Sequence, residues 1–236
     1  MPIAWHSLQS NAYLLKLSAN LHSHHLRCSG GQWLQETKSV ERFLNLTLAL
    51  IHPELHVCGM EILNKLQCYT TNTKITSEWE STYTGIQVIS NQVTPGHWDS
   101  KGCPEWYDLL VRIGKGSLST LLVNAISLEL AYHPGTVVGL CRTILEHEVH
   151  AWGQGDWVCY AHFMWEAVRQ QLRVNPVGWV MQNTYGKYLP RTITWTYKAA
   201  YPQYAPSLVV HIWHVALCCY LLHMARDEPD SANEGG

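Results

Sequence analysis

A histidine and an aspartate stand two residues apart in Thr94-Pro95-Gly96-His97-Trp98-Asp99. At a strand end, residues i and i+2 project to the same side, so His97 and Asp99 could share one metal ion. Two histidines and one carboxylate form the facial triad of non-haem iron, which leaves open positions for a co-substrate and oxygen. The third ligand must come from a later strand folded back beside the first. His147 lies on such a strand. His150 and His162 compete with it, and each also reads as a hydrogen-bonded interior histidine. A separate cluster, His22-Ser23-His24-His25-Leu26-Arg27-Cys28, reads either as a second metal site or as an exposed loop.

These residues need a scaffold that brings distant strands together. From Thr84 onward the chain is a series of short β-branched runs punctuated by glycine and proline. "GIQVISNQV" reads as a strand, and Pro95-Gly96 as the turn that delivers His97. "TLLVN" and "SLELAY" read as two strands around a tight connection. His133-Pro134-Gly135 is a turn and "TVVGLC" a further strand, whose edge "ILEHEV" continues. Gly153 to Asp156 form a loop, "WVCYAHFMW" the last strong strand, and Glu166 to Leu172 a helix. Many short strands of this kind suggest a jelly roll, the double-stranded β-helix.

Ahead of it, apolar residues at helical spacing predict helices over Val40–Leu50 and Glu54–Leu66, separated by His52-Pro53. The expected fold class is therefore mainly β with flanking helices. Residues 1–83 are expected to form a helical N-terminal extension packing on the core, 84–185 the jelly roll, and 186–236 a C-terminal extension with a helix. That helix falls in the apolar stretch Leu208 to Ala225. Its histidines, His211, His214 and His223, favour a buried helix over a membrane span.

Composition narrows the classes. With 47% hydrophobic and 14% charged residues, the 236-residue chain can bury a core and is not a disordered polymer. A net charge of -2 without a basic run means that any nucleic-acid contact is made by a local patch. Eight cysteines without a CxxC pair, and no basic-then-apolar leader, point to reduced thiols inside a cell. On that view the sequon Asn45-Leu46-Thr47 is accidental. Eleven tryptophans against two phenylalanines supply rings suited to cleft walls or to the core.

Four blocks, "LIHPELHVCGMEIL", "ISNQVTPGHWDSKGCPEWYDLLVRIG", "YHPGTVVGLC" and "ILEHEVHAWGQGDWVCYAHFMWEAV", carry a resemblance in consistent order. From about Leu50 to Tyr185 the chain resembles the fungal, transposon-associated branch of the TET/JBP 2-oxoglutarate and iron(II)-dependent dioxygenases. The resemblance implies a jelly-roll enzyme that oxidises the methyl group of 5-methylcytosine in DNA, decarboxylating 2-oxoglutarate to succinate. It implies Fe(2+) held by His97, Asp99 and His147. It also implies a nuclear location, and a target base flipped from the duplex, on which Trp98, Trp106 or Trp152 could stack.

The chain departs from the family pattern where the co-substrate should be held. Trp157 stands in Gly155-Asp156-Trp157 where the resemblance implies the arginine that grips the distal carboxylate of 2-oxoglutarate. An arginine offers a two-pronged charged contact, whereas tryptophan offers one neutral N–H and a bulky ring. Arg142 and Glu148 stand where smaller residues are expected, and Trp165 where an arginine is usual. Alternation would point Arg142 away from His147, and Arg169 sits on the following helix. Two readings follow: an oxygenase weakened at Trp157, or a catalytically disabled copy that serves as a binding or structural protein. Alternation also places Trp157, Cys159 and Ala161 on one face, and the resemblance implies that this face is the inward one.

Overall fold

The computed structural model describes residues 2–7, 15–17, 30–69, 77–115, 119–150 and 152–181. The His22–Cys28 cluster and the C-terminal stretch from Leu208 to Ala225 lie outside the described residues.

Two helices precede the barrel strands. Helix α1 (Gly30–Ile51) buries Glu41, Leu44, Leu48 and Ile51, one stripe at helical spacing. Helix α2 (Pro53–Tyr69) buries Leu55, Cys58, Ile62 and Leu66 in the same manner. His52 makes the break between them. Its Nδ1 accepts a hydrogen bond from the Leu55 backbone N–H at 3.2 Å, which caps α2, and Pro53 occupies the first helical position, where no N–H is required. With Nδ1 accepting, Nε2 carries the proton and donates to the Glu105 carbonyl at 3.2 Å.

The strands are β1 (Pro2–Ser7), β2 (Leu15–Leu17), β3 (Gly85–Ser90), β4 (Thr94–His97), β5 (Asp108–Ile113), β6 (Thr120–Val123), β7 (Leu128–Ala131), β8 (Val137–Leu140), β9 (His147–Val149) and β10 (Val158–Phe163). A short helix, α3 (Glu166–Gln171), follows. One sheet runs β2-β1-β3-β10-β5-β8 and the other β4-β9-β6-β7, with antiparallel neighbours throughout. Setting aside β1 and β2, the eight remaining strands divide between the sheets as first-eighth-third-sixth and second-seventh-fourth-fifth. This is the jelly-roll order, so the core is mainly β with helices outside, as expected from the punctuated strands.

The larger sheet is covered on both faces. On its outer face His162 meets Glu41 of α1 at 3.0 Å, and Tyr160 packs edge-on against Trp33. A Cβ on Gly139 of β8 would come within 2.7 Å of Ile51 Cδ1, and one on Gly59 of α2 within 2.6 Å of the Thr82 carbonyl oxygen. Glycine at these two points lets the helices approach the barrel closely. Its inner face carries Asp108, Leu110 and Arg112 from β5, with Cys159 and Ala161 of β10 opposite the last two. Burial on both sides accounts for the nearly unbroken apolar run of β5.

Two local expectations are corrected. Pro95 and Gly96 are not a turn; they lie within β4, an edge strand where proline costs no ladder hydrogen bond, and pairing is irregular between Thr94 and His97. The chain reverses earlier, at Asn91, which adopts a positive φ of 50°. Its side-chain oxygen accepts from the Trp157 N–H and its backbone N–H donates to the Trp157 carbonyl, both at 2.8 Å. Nor does "ILEHEV" continue the edge of β8. A turn after Leu140 carries the chain to the opposite sheet, where β9 lies between β4 and β6.

Asn45 of the sequon spans loop and helix. Its amide donates to the Glu80 carbonyl at 2.7 Å and its oxygen accepts from the Thr82 N–H at 3.0 Å. Among the described residues, Cys58, Cys68, Cys103, Cys141 and Cys159 are free thiols. No helix among them is long and apolar enough to cross a membrane.

Candidate metal centre

His97 closes β4 and His147 opens β9, and the two are register partners across the antiparallel pair. Their rings lie with centroids 4.3 Å apart. Strand alternation sets the inward direction, since Val123 and Leu121 of β6 pair with His147 and Val149, and all four are directed to the interior, with only His147 polar. Asp99 lies two residues past His97, fixed by its backbone N–H donating to the Arg142 carbonyl at 3.0 Å. Donor atoms of His97, Asp99 and His147 all fall within 4.8 Å of one another, so the trio could hold a metal ion. That is the scale of two metal–ligand bonds, roughly 4 Å.

The protonation pattern suits ligation. His97 Nδ1 lies 2.9 Å from the Pro95 carbonyl oxygen, and His147 Nδ1 lies 3.1 Å from that of Leu145. A carbonyl only accepts, so each Nδ1 carries a proton and Nε2 is the nitrogen left for a metal, the arrangement by which backbone acceptors orient ligating imidazoles. Both Nε2 atoms stand 3.9 Å from Asp99 Oδ2. Burial, opposed by the Leu145 carbonyl, holds the His147 imidazole down to about 4, which keeps it neutral at pH 7. Asp99 Oδ2 is itself buried and accepts no hydrogen bond. Two imidazole nitrogens and a carboxylate oxygen within 4.8 Å of one another are a donor set that fits a divalent transition metal.

Arg142 is beside this trio, contrary to the expectation from alternation. Strand β8 ends at Leu140, and the turn that follows brings the guanidinium back to the site. Nη1 lies 2.7 Å from Asp99 Oδ2, an ion pair outside hydrogen-bond geometry, and Nε donates to Asp108 Oδ2 at 2.9 Å. Burial works against the charge of Arg142, and the Asp108 and Asp99 carboxylates more than offset it.

The two competing histidines lie elsewhere. His150 is mostly exposed and pairs with Glu148 at 3.0 Å, while His162 faces α1 on the far side of the larger sheet. Of the tryptophans, Trp98 is 58% exposed at the rim beside His97, whereas Trp106 is buried in the core. Trp152 stacks on Trp157 with centroids 5.8 Å apart. Lys101 caps the ring of Trp165 at 5.1 Å.

Trp157, Cys159 and Ala161 are all buried. The Trp157 ring supports the guanidinium of Arg112, 5.5 Å from its centroid. Arg169 of α3 is tied to Glu166 and to the Val174 carbonyl. Reading the sequence passed over Arg112, Asp108 and Asn91. The available signal was a pair of opposite charges four residues apart, Asp108 and Arg112, on an otherwise apolar strand.

No family model matches the chain, and no curated protein matches it. Among solved structures, one of NgTET1 in complex with 5mC DNA is similar at a TM-score of 0.48 and 12% identity, covering 79% of this chain and 67% of that one.

Proposed function

We propose that this chain is, by descent, a 2-oxoglutarate and iron(II)-dependent dioxygenase acting on the methyl group of a modified base, 5-methylcytosine, in nuclear DNA. One observation carries the reading. In a jelly roll, two register-paired histidines and Asp99 bring their donor atoms within 4.8 Å of one another, each Nε2 standing 3.9 Å from Asp99 Oδ2. His97, Asp99 and His147 would hold the iron, which with 2-oxoglutarate and oxygen supplies oxidation of an unactivated C–H bond.

The chain's own groups prepare the site. The Pro95 and Leu145 carbonyls hold both imidazoles in one tautomer, and the Asp99–Arg142 backbone hydrogen bond fixes the carboxylate. Val123, Val149 and Leu145 wall the trio from water on its inner side. Trp98, at the open rim, offers a surface for stacking a flipped base.

The disabled copy is the second reading, favoured by one observation: an indole, not a guanidinium, occupies position 157 on the inner face. The test is succinate formation from 2-oxoglutarate with Fe(II), with and without 5-methylcytosine DNA, beside His97→Ala. DNA-stimulated succinate and oxidised cytosine, both absent in the variant, support the oxygenase. Metal and DNA binding without succinate supports the disabled binding protein.

A further inference from the structure

Arg112 is fully buried on the inner face of the larger sheet. It shares that face of β5 with Asp108, four residues earlier and roughly 13 Å away along the strand. Asp108 holds Arg142, which in turn touches Asp99, so the inner face of β5 runs from the candidate metal centre to Arg112. Opposite this row β10 presents only the small side chains of Ala161, partnered with Leu110, and Cys159, partnered with Arg112. At its far end stands Trp157, on whose ring the guanidinium rests.

The groups gathered there are donors. Arg112 Nη1 donates to the Val158 carbonyl at 3.4 Å, and Nε reaches Ser119 Oγ at 3.5 Å, a long contact. The Tyr132 hydroxyl lies beside Cys159 Sγ at 3.3 Å. The Trp157 Nε1–H, in a residue 1% exposed, has no hydrogen-bond partner among the described residues. A buried indole N–H without an acceptor costs free energy that an incoming acceptor returns. Burial works against the charge on Arg112 and outweighs the opposing influence of Tyr132 and Cys159, so an anion beside it would favour the charged form.

We propose that Arg112 and the indole N–H of Trp157 together form a carboxylate subsite, which receives the far end of a dicarboxylic 2-oxo acid whose 2-oxo end lies toward His97, Asp99 and His147. The subsite rests on the oxygenase reading for the identity of its ligand. It moves the charged contact from β10 to the neighbouring strand β5. Trp157 then is a supporting plate and a second donor, not a blockade.

The experiment is a calorimetric titration of the Mn(II)-loaded full chain with 2-oxoglutarate, and with 2-oxopentanoate, which lacks the distal carboxylate. The parent is expected to prefer 2-oxoglutarate by about 30-fold or more, and Arg112→Met to lose that preference. Trp157→Phe keeps the ring and removes the N–H; it should bind 2-oxoglutarate about 10-fold more weakly, and it decides the matter if Arg112→Met does not fold. A parent that prefers 2-oxoglutarate while both variants bind it equally well overturns the subsite and leaves the oxygenase reading standing. A parent that binds Mn(II) but neither 2-oxo acid overturns the subsite and the oxygenase reading together.

Discussion

Arg142 touches Asp99 and Asp108 with one guanidinium, 2.7 Å from the first and 2.9 Å from the second. A permanent cation therefore sits against the carboxylate that would ligate a metal. Its removal has two opposed effects. Arg142→Met leaves Asp108 buried without its partner and should cost about 3–5 kcal/mol of stability in urea unfolding. Combining it with Asp108→Asn should restore most of that loss, and Mn(II) should bind this double variant several-fold more tightly than the parent. Equal or weaker Mn(II) binding would mean that Arg142 assists Asp99 instead of opposing the metal.

Metal binding itself discriminates among the histidines. His97→Ala and His147→Ala should each abolish Mn(II) binding, read by electron paramagnetic resonance, while retaining the fold by circular dichroism. His150→Ala, whose ring pairs with Glu148 on the surface, should bind as the parent does. Undiminished binding in His147→Ala would remove the trio as the site.

His52 makes stability depend on pH. Burial holds its imidazole down to about 4, whereas in the unfolded chain it titrates near 6.5. Between those values the unfolded chain takes up a proton that the folded chain refuses. Stability is thus complete above about pH 6.5 and falls as pH drops toward 4, by up to roughly 3 kcal/mol. Protonation would also remove the Nδ1 lone pair that caps α2. His52→Asn retains a capping acceptor and does not titrate, so its urea midpoint should fall less between about pH 7 and about pH 4.5. Parallel profiles for the two proteins would exclude His52 as the source.

Trp157→Arg places a second guanidinium against Arg112 in the interior. Without ligand the variant should lose about 3 kcal/mol, as expected for an uncompensated buried charge. Saturating 2-oxoglutarate should recover part of that loss in thermal melts. A variant as stable as its parent, and indifferent to 2-oxoglutarate, would show that position 157 does not face the buried cation.

Strands β3, β6, β7, β8 and β10 were legible because each is a short apolar run bounded by turn residues; β5 was not read as a strand, and β1 and β2 fell where helix was expected. Alternation put Trp157, Cys159 and Ala161 on one face, and the resemblance supplied its inward direction. Alternation failed where the strand ended. Arg142 lies in a turn, so counting residues back from His147 gave the wrong side. Pro95-Gly96 looked like a turn because its composition says so, and only the edge position of β4 makes it acceptable in a strand. The choice among His147, His150 and His162 could not be made from spacing. His162 is set apart by the sheet its strand joins, and His150 by its place one residue past the inward-facing Val149 of β9. Arg112 was passed over although it and Asp108 are the two charges on an otherwise apolar strand.

The pairing of His97 with His147 has a mechanical side. Among the described strands β4 pairs only with β9, with an irregular register and a proline in its short span. A metal shared by these two histidines would act as a cross-link between neighbouring strands, pinning the margin of the barrel where the hydrogen-bond ladder is thinnest. Chelation would then do more than silence chemistry: it would let that margin fray, and protease cleavage between Asn91 and Lys101 would report it.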